Sequence, residues 1–200
     1  MTRSIEDSLK HRRSYYQLSG KSPVSDKEIE KVLDFAATYV PSAFNSQSTR
    51  MVLLLGDNHK RFWNIVKDVL KKRLSAEAFV KTGSKIDESF ASGYGTVLYY
   101  EDQSVVEGLQ EKFPSYSENF PVWSQQTSAM HQLVVWTMLE DMGFGASLQH
   151  YNPIIDEDVR KEWDIPAKWK LVAQMPFGLP AGEPDQKVMN PVGSRVVVFK

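Results

Sequence analysis

HRRSYY at residues 11–16 and PSAFNSQ at residues 41–47 are the most informative stretches of this chain of 200 residues. In the first, Arg12 and Arg13 place two guanidinium groups beside the Ser14 hydroxyl, a set of donors suited to a phosphate. The second places short polar side chains after a proline-led turn, which suits the polar edge of a ring or a sugar chain. Those side chains are Ser42, Asn45 and Gln47.

Composition excludes several classes of function. The formal net charge is −1, so we expect no nucleic-acid partner and no general attraction to an anionic membrane. The chain has no cysteine, which excludes disulfides, thiolate metal ligands and cysteine nucleophiles. The four histidines show no metal-ligand spacing, and we predict no metal site. Because we find neither a signal-like N-terminus nor an apolar run long enough to span a bilayer, we expect a cytoplasmic protein.

The apolar pattern predicts an α+β fold. Five helices are expected from periodicity, over residues 3–12, 25–41, 58–81, 124–142 and 155–163. Four strands are expected from β-branched or continuous apolar runs, over residues 51–55, 96–100, 171–174 and 196–199. Residues 19–25 read as a loop, and residues 101–123 as a helix followed by an irregular connection. Without repeats or low-complexity linkers, we predict one domain over residues 1–200.

Other catalytic motifs are missing, and some residues keep two interpretations. Gly93-x-Gly95 precedes a strand and lacks the third glycine of a dinucleotide fingerprint, and no Gly-x-Ser-x-Gly elbow of a hydrolase occurs. Arg12 and Arg13, taken alone, could be solvated cations at a helix end. His150 could be a general acid or base, or a packed histidine. The aromatic residues between 94 and 123 could form a substrate wall, although we expect most of them to be core.

Four segments together resemble the nitroreductase family of flavoproteins. They are Arg12-Arg13-Ser14, the Pro-Ser-x-x-Asn-x-Gln stretch from Pro41, the stretch from Gly143 to Tyr151, and Phe177-Gly178-Leu179-Pro180 leading to Lys187. Their order and spacing span nearly the whole chain. The Leu148-Gln149-His150-Tyr151 stretch is similar to the short branch of the family, which includes the fungal fatty-acid-repression-mutant-like proteins and small bacterial FMN-dependent nitroreductases.

The resemblance implies a nitroreductase-like fold: a central mixed β-sheet wrapped by helices, in a homodimer whose FMN sites lie at the subunit interface. The C-terminal strand of each subunit would reach across to its partner. In larger family members an acidic residue and a glycine stand where this chain has His150 and Tyr151, and a backbone amide there faces the reactive flavin nitrogen. The implied cofactor-binding residues are Arg12, Arg13, Ser14, Tyr16, Ser42, Asn45, Gln47, Gln149, His150, Tyr151, Lys187 and Arg195.

The resemblance also implies an activity. We expect an FMN-dependent oxidoreductase that takes electrons from NADH or NADPH and reduces nitroaromatic or quinone-type small molecules by a ping-pong mechanism. No catalytic side chain is required, because the chemistry occurs on the flavin; His150 and Tyr16 are candidates for tuning the flavin or protonating the product. The main alternative is a flavin-binding redox sensor or regulatory protein with little turnover. A third is a dimeric scaffold without a cofactor.

Overall fold

A computed structural model describes residues 3–200 of the chain. The helices are α1 (Ile5–His11), α2 (Asp26–Tyr39), α3 (Gly56–Lys71), α4 (Ala76–Lys85), α5 (Gln103–Lys112), α6 (Phe120–Asp141) and α7 (Asp156–Glu162). The strands are β1 (Leu18–Ser19), β2 (Thr49–Leu55), β3 (Gly95–Asp102), β4 (Gly145–Ala146) and β5 (Trp169–Pro180). No helix within residues 3–200 has both the length and the apolar composition needed to cross a membrane.

The sheet has the order β1-β5-β3-β2, and β4 joins the β1 side of β5. The pairings between these strands are antiparallel, and a parallel bridge connects Ser14 to Ala146. Side chains alternate across β3, so that Val97 and Tyr99 pack with α2 and α6 while Leu98 and Tyr100 pack with α3 and α7. Helices therefore cover both faces of the sheet, and the predicted α+β fold with a central sheet is confirmed.

Local capping signals predict helix starts well. The Ser25 amide donates to the Glu28 carboxylate at 2.9 Å, and α2 begins at Asp26, directly after Ser25, as predicted. The predicted single helix over 58–81 is wrong in one respect: α3 ends at Lys71 and α4 starts anew at Ala76. The physical reason is the Ser75 hydroxyl, which accepts from the Ala78 amide at 3.3 Å and caps a new helix.

Several strand boundaries differ from the prediction. β5 runs from residue 169 to 180, well beyond the predicted 171–174, and the two-residue strands β1 and β4 were not predicted. The predicted strand at 196–199 does not form in this chain: these residues pair with no strand within 3–200 and are exposed. A strand is stabilised by a neighbour, and here none lies beside the apolar C-terminal residues.

A buried histidine joins α3 to β3. His59 is almost completely buried and shares the Thr96 hydroxyl with Trp63: its Nδ1 lies 2.9 Å, and the Trp63 Nε1 3.0 Å, from that oxygen. The other ring nitrogen, Nε2, lies 3.2 Å from the Ala91 carbonyl. Burial is the main reason that the pKa of His59 falls to about 4. The histidine is therefore neutral in the folded protein near pH 7.

This depressed pKa predicts a pH dependence of stability. The unfolded chain binds a proton at His59 near the ordinary value of 6.5, whereas the folded chain does so only near 4. Stability from the neutral histidine is thus complete above about pH 6.5 and is lost as the pH falls to about 4, by about 1 kcal/mol per pH unit. Urea unfolding at neutral and at acidic pH should show that acid lowers the free energy of unfolding less in His59→Gln than in wild type. In the matched His150→Gln variant, at an exposed position, acid should lower it as much as in wild type. Parallel curves for wild type and His59→Gln would contradict the assignment.

Candidate functional site

The HRRSYY stretch runs from the end of α1 onto the sheet. α1 ends at His11, and Ser14 bridges to Ala146 of β4. The Tyr15 amide donates to the Ala146 carbonyl at 2.9 Å. Gly145 permits this approach, because a Cβ atom at that position would lie 2.8 Å from the Tyr15 Cβ. The stretch is therefore held by a helix on one side and by a strand on the other.

A buried carboxylate ties α1 to the last turns of α6. Glu140, only 4% exposed, accepts a hydrogen bond from Arg3 at 3.2 Å and pairs with His11. One turn earlier on α6, the centre of a Trp136 ring lies 4.3 Å from the Arg12 guanidinium carbon. Partial burial lowers the pKa of Arg12, but a guanidinium in a protein keeps its charge near pH 7. Arg12 is thus a positioned cation rather than a freely solvated one.

Five of the predicted cofactor-binding side chains line one cavity of about 240 Å³. They are Arg12, Arg13, Ser14, Tyr16 and Lys187. Asp185 and Gln186 complete the lining, and Arg13 donates to the Asp185 carbonyl. Two guanidinium groups, an ammonium and a hydroxyl around one space form a donor set that matches a phosphate group.

Arg195 lies elsewhere in the structure. It follows a short 3₁₀ turn at Val192–Ser194, and its Nη2 donates to the Asn190 carbonyl at 3.1 Å. It does not line the cavity formed by the other basic side chains. Its contact with a flavin stays a prediction.

The PSAFNSQ stretch has an unusual backbone. Phe44, Asn45 and Gln47 have φ values of 56°, 50° and 49°, in the left-handed region that residues with a side chain seldom adopt. The Ser42 hydroxyl accepts a hydrogen bond from the Gln47 amide at 3.0 Å and closes the turn. Positive φ values at non-glycine residues cost energy and concentrate at functional sites. This geometry supports a functional interpretation of the stretch.

Charged groups behind the PSAFNSQ stretch hold it in place. Arg50 donates to the Gln47 carbonyl at 2.7 Å and to Asp102 at 3.0 Å. Glu101, fully buried, accepts from the Ser48 and Thr49 hydroxyls, each at 2.6 Å. Burial is the largest effect on the Glu101 carboxyl and raises its pKa. Gln47 is the last predicted cofactor-binding residue of the stretch. The residues that follow it are therefore anchored to Glu101 and Asp102 of β3.

The segment 149–151 leaves one backbone amide free. The Gln149 amide donates to the Gln174 carbonyl at 2.7 Å, and the Tyr151 amide donates to the Gln174 side-chain oxygen at 2.7 Å. Within residues 3–200, the His150 amide between them has no acceptor. The His150 imidazole is exposed and has no hydrogen-bond partner in the same residues. The His150 backbone amide and the His150 imidazole are thus both available to a ligand.

Phe90 connects the first and third segments. The ring centroids of Tyr16 and Tyr151 each lie 6.4 Å from that of Phe90. A cation that the sequence did not indicate lies at the same place: the Lys85 ammonium is 5.7 Å from the Tyr16 ring centroid and 6.0 Å from that of Phe90. Lys85 precedes a π-helical turn at Ile86–Phe90, a feature frequent at functional sites. Its position depends on this irregular turn, which no local pattern predicts.

The two predicted flavin-binding stretches lie at opposite ends of α6 in one chain. The Phe44 ring stacks on Trp123 near the start of the helix, with centroids 5.9 Å apart. The Arg12 guanidinium packs on Trp136 near its end. Because an α-helix rises about 1.5 Å per residue, the two tryptophans lie about 20 Å apart along the axis. One chain therefore gathers the predicted phosphate ligands but keeps the PSAFNSQ stretch away from them.

Of the aromatic residues between 94 and 123, Tyr94 is partly buried against the core and donates to Asp26, and the other six divide into two groups. Tyr99, Tyr100 and Phe120 are buried, as expected for core. Phe113, Tyr116 and Trp123 are partly or largely exposed and surround the ring of Phe44. The expectation of core packing thus holds for the first three residues, and the second group forms an aromatic surface beside the PSAFNSQ stretch.

Comparison with known proteins places the chain in one family. Residues 9–179 match the model of the nitroreductase family. The chain is 33% identical over 183 residues to nitroreductase FRM2 of Saccharomyces cerevisiae, an alignment that covers 90% of both chains.

Solved structures share the fold. Nitroreductase CinD from Lactococcus lactis in complex with 4-nitrophenol is 41% identical, with a TM-score of 0.88 over 98% of this chain and 100% of its own. A structure from Desulfovibrio desulfuricans that contains FMN is 16% identical, with a TM-score of 0.70 over 100% of this chain and 99% of its own. At 16% identity, the similarity to the Desulfovibrio structure shows the fold alone.

Proposed function

The chain belongs to the nitroreductase family, and from this premise we propose that it is an FMN-dependent NAD(P)H oxidoreductase that reduces nitroaromatic or quinone-type acceptors. Oxidoreduction of the nitroreductase type is the activity common to its named relatives. We treat residues 1–200 as one FMN-binding domain.

The observation that carries the proposal is the cluster of donors around the 240 Å³ cavity. A phosphate monoester has about two negative charges near pH 7 and three acceptor oxygens. Arg12, Arg13 and Lys187 supply three positive charges, and the Ser14 hydroxyl supplies a further donor. Because both arginines are held in place by contacts with Trp136 and Asp185, little conformational entropy is lost when they bind an anion.

The surroundings of Phe90 fit the ring of the same cofactor. The free His150 amide can donate to an acceptor atom on the ring edge, and it does not depend on the side chain that replaces the family's acidic residue. Lys85 adds a positive charge near Tyr16. Tyr16 and Tyr151 both lie next to Phe90 and offer aromatic surface.

FMN, when bound, supplies the redox chemistry, by taking electrons from NADH or NADPH and passing them to an acceptor in alternating half-reactions. The chain's own side chains bind and orient the participants. A nitroaromatic acceptor is supported by CinD, whose structure was solved with 4-nitrophenol. The exposed rings of Phe44, Tyr116 and Trp123 offer flat apolar surface for such small aromatic molecules.

We further propose that two copies of the chain complete each site. α6 carries no Asp, Glu, Lys or Arg before Glu140 and leaves Val122, Met130 and Leu133 exposed. If two copies pack α6 against α6 antiparallel about a twofold axis, the PSAFNSQ stretch of one copy comes to the HRRSYY stretch of the other. The exposed apolar residues Val196–Phe199 would then find a partner surface to cover.

The phosphate assignment predicts a selective loss of binding. Arg12→Gln keeps a polar side chain but removes the guanidinium group and its charge, so FMN affinity should fall by about tenfold or more. Riboflavin, which lacks the phosphate, should bind wild type and Arg12→Gln equally. The matched Arg61→Gln variant breaks an ion pair with Glu162 far from the cavity and should leave both affinities unchanged. Titration of each apoprotein with FMN and with riboflavin, followed by flavin fluorescence, measures these affinities. Unchanged FMN affinity in Arg12→Gln would overturn the assignment.

Turnover separates the enzyme from the redox sensor. With NADH or NADPH in excess and a nitroaromatic or quinone acceptor, the proposed enzyme oxidises many equivalents of NAD(P)H per flavin. Initial rates at several fixed acceptor concentrations should give parallel double-reciprocal lines, the pattern of a ping-pong mechanism. A sensor would reduce its flavin once and stop, and that result would replace the enzymatic proposal with the regulatory one.

A further inference from the structure

Gln174 is a buried polar residue in the middle of β5. Its exposure is 0%, and a buried amide is stable only when its polar groups have partners. The neighbours of Gln174 on β5, Ala173 and Met175, are apolar core residues. A glutamine at this position therefore has a structural or functional task that an apolar residue would not perform.

All four polar groups of Gln174 bind the same short segment. Its main-chain amide donates to the Gln149 carbonyl at 2.9 Å, and its main-chain carbonyl accepts from the Gln149 amide at 2.7 Å. Its side-chain oxygen accepts from the Tyr151 amide at 2.7 Å, and its side-chain nitrogen donates to the Asn152 side-chain oxygen at 3.0 Å. Residues on both sides of His150 are thus fixed to one strand residue.

These contacts hold both neighbours of the free amide. Because Gln149 and Gln174 exchange both backbone hydrogen bonds, the amide of the next residue, His150, faces away from β5, as in any antiparallel ladder. The Tyr151 amide turns back toward β5, where the Gln174 side chain replaces a backbone acceptor, and the His150 amide between the two clamped residues has no acceptor in residues 3–200. The arrangement fixes the direction of one donor with very little freedom.

We propose that Gln174 is a positioning residue: its side-chain amide clamps residues 149–152 so that the His150 backbone amide is held ready to donate to the ring edge of the bound flavin. This inference rests on the proposed function, because it needs a flavin at the site. It assigns to Gln174 a role in binding that acts through His150 and requires no contact between Gln174 and the cofactor.

The test compares two glutamine-to-methionine variants. Gln174→Met keeps the length and volume of the side chain but removes both of its hydrogen bonds. Gln103→Met removes a single side-chain bond, to the Glu101 carbonyl at 3.0 Å, away from residues 149–152. FMN affinity is measured by titration of apoprotein at a temperature where all variants are folded. Hydrogen exchange of the Tyr151 amide is measured in the same apoproteins by nuclear magnetic resonance.

We expect Gln174→Met to raise the Kd for FMN about tenfold and to speed exchange at Tyr151, while Gln103→Met matches wild type in both. A purely structural role would lower the thermal midpoint and leave the Kd of the folded protein unchanged, which would overturn the proposal. Unchanged exchange at Tyr151 would also overturn it, because the clamp would then not exist.

A milder variant keeps the proposal testable if Gln174→Met does not fold. Asn152→Ala removes the contact with the side-chain nitrogen and leaves the Tyr151 bond in place; it should raise the FMN Kd by about two- to threefold, and an unchanged Kd would overturn the clamp. If wild type itself bound no FMN, the proposed function would fail, and the inference with it. The exchange data would still report separately whether Gln174 holds the segment.

Discussion

The contacts that Glu140 and Trp136, near the end of α6, make with α1 and Arg12 are the constraint on which the site depends. Glu140 holds α1 through Arg3 and His11, and Trp136 holds the Arg12 guanidinium. The same helix, about 20 Å away along its axis, holds the PSAFNSQ stretch through Trp123 and Phe120. α6 separates the two stretches within one chain, and in the proposed twofold packing it is also the element that brings them together between chains. The length of α6 thus sets the geometry of the proposed dimer.

Backbone groups dominate the part of the site nearest the proposed flavin ring. The His150 amide faces away from β5 while Gln174 holds both of its neighbours, and the turn before Arg50 is held with φ values near 50°. Backbone groups of this kind do not depend on which side chain a residue carries. The phosphate end differs, because there the proposed ligands are charged side chains such as Arg12 and Lys187.

Local signals in the sequence predicted what local physics determines. The Ser25–Glu28 capping box located the start of α2, and the apolar run after Arg50 located β2. Elements that depend on distant partners were not predictable: β4 exists because it pairs with β5, and the role of Gln174 depends on the register between β5 and residue 149. The break before Ala76 was missed since the apolar period continues through it. Lys85 was missed because a π-helical turn places it near Tyr16.

In the proposed dimer, each flavin site takes its phosphate ligands from one copy of the chain and its PSAFNSQ stretch from the other. Arg12→Gln removes a phosphate ligand, and Asn45→Gly removes a side chain of the PSAFNSQ stretch. Glycine is compatible with the positive φ at position 45. Mixed dimers of the two would contain one site with both halves intact. When the two variants are refolded together in equal amounts, about half of the dimers are mixed, and each mixed dimer has one intact site of two. At an FMN concentration too low for either variant alone to bind, the mixture should therefore bind FMN at about a quarter of the wild-type number of sites. Binding by the mixture no greater than the mean of the separate variants would contradict the account.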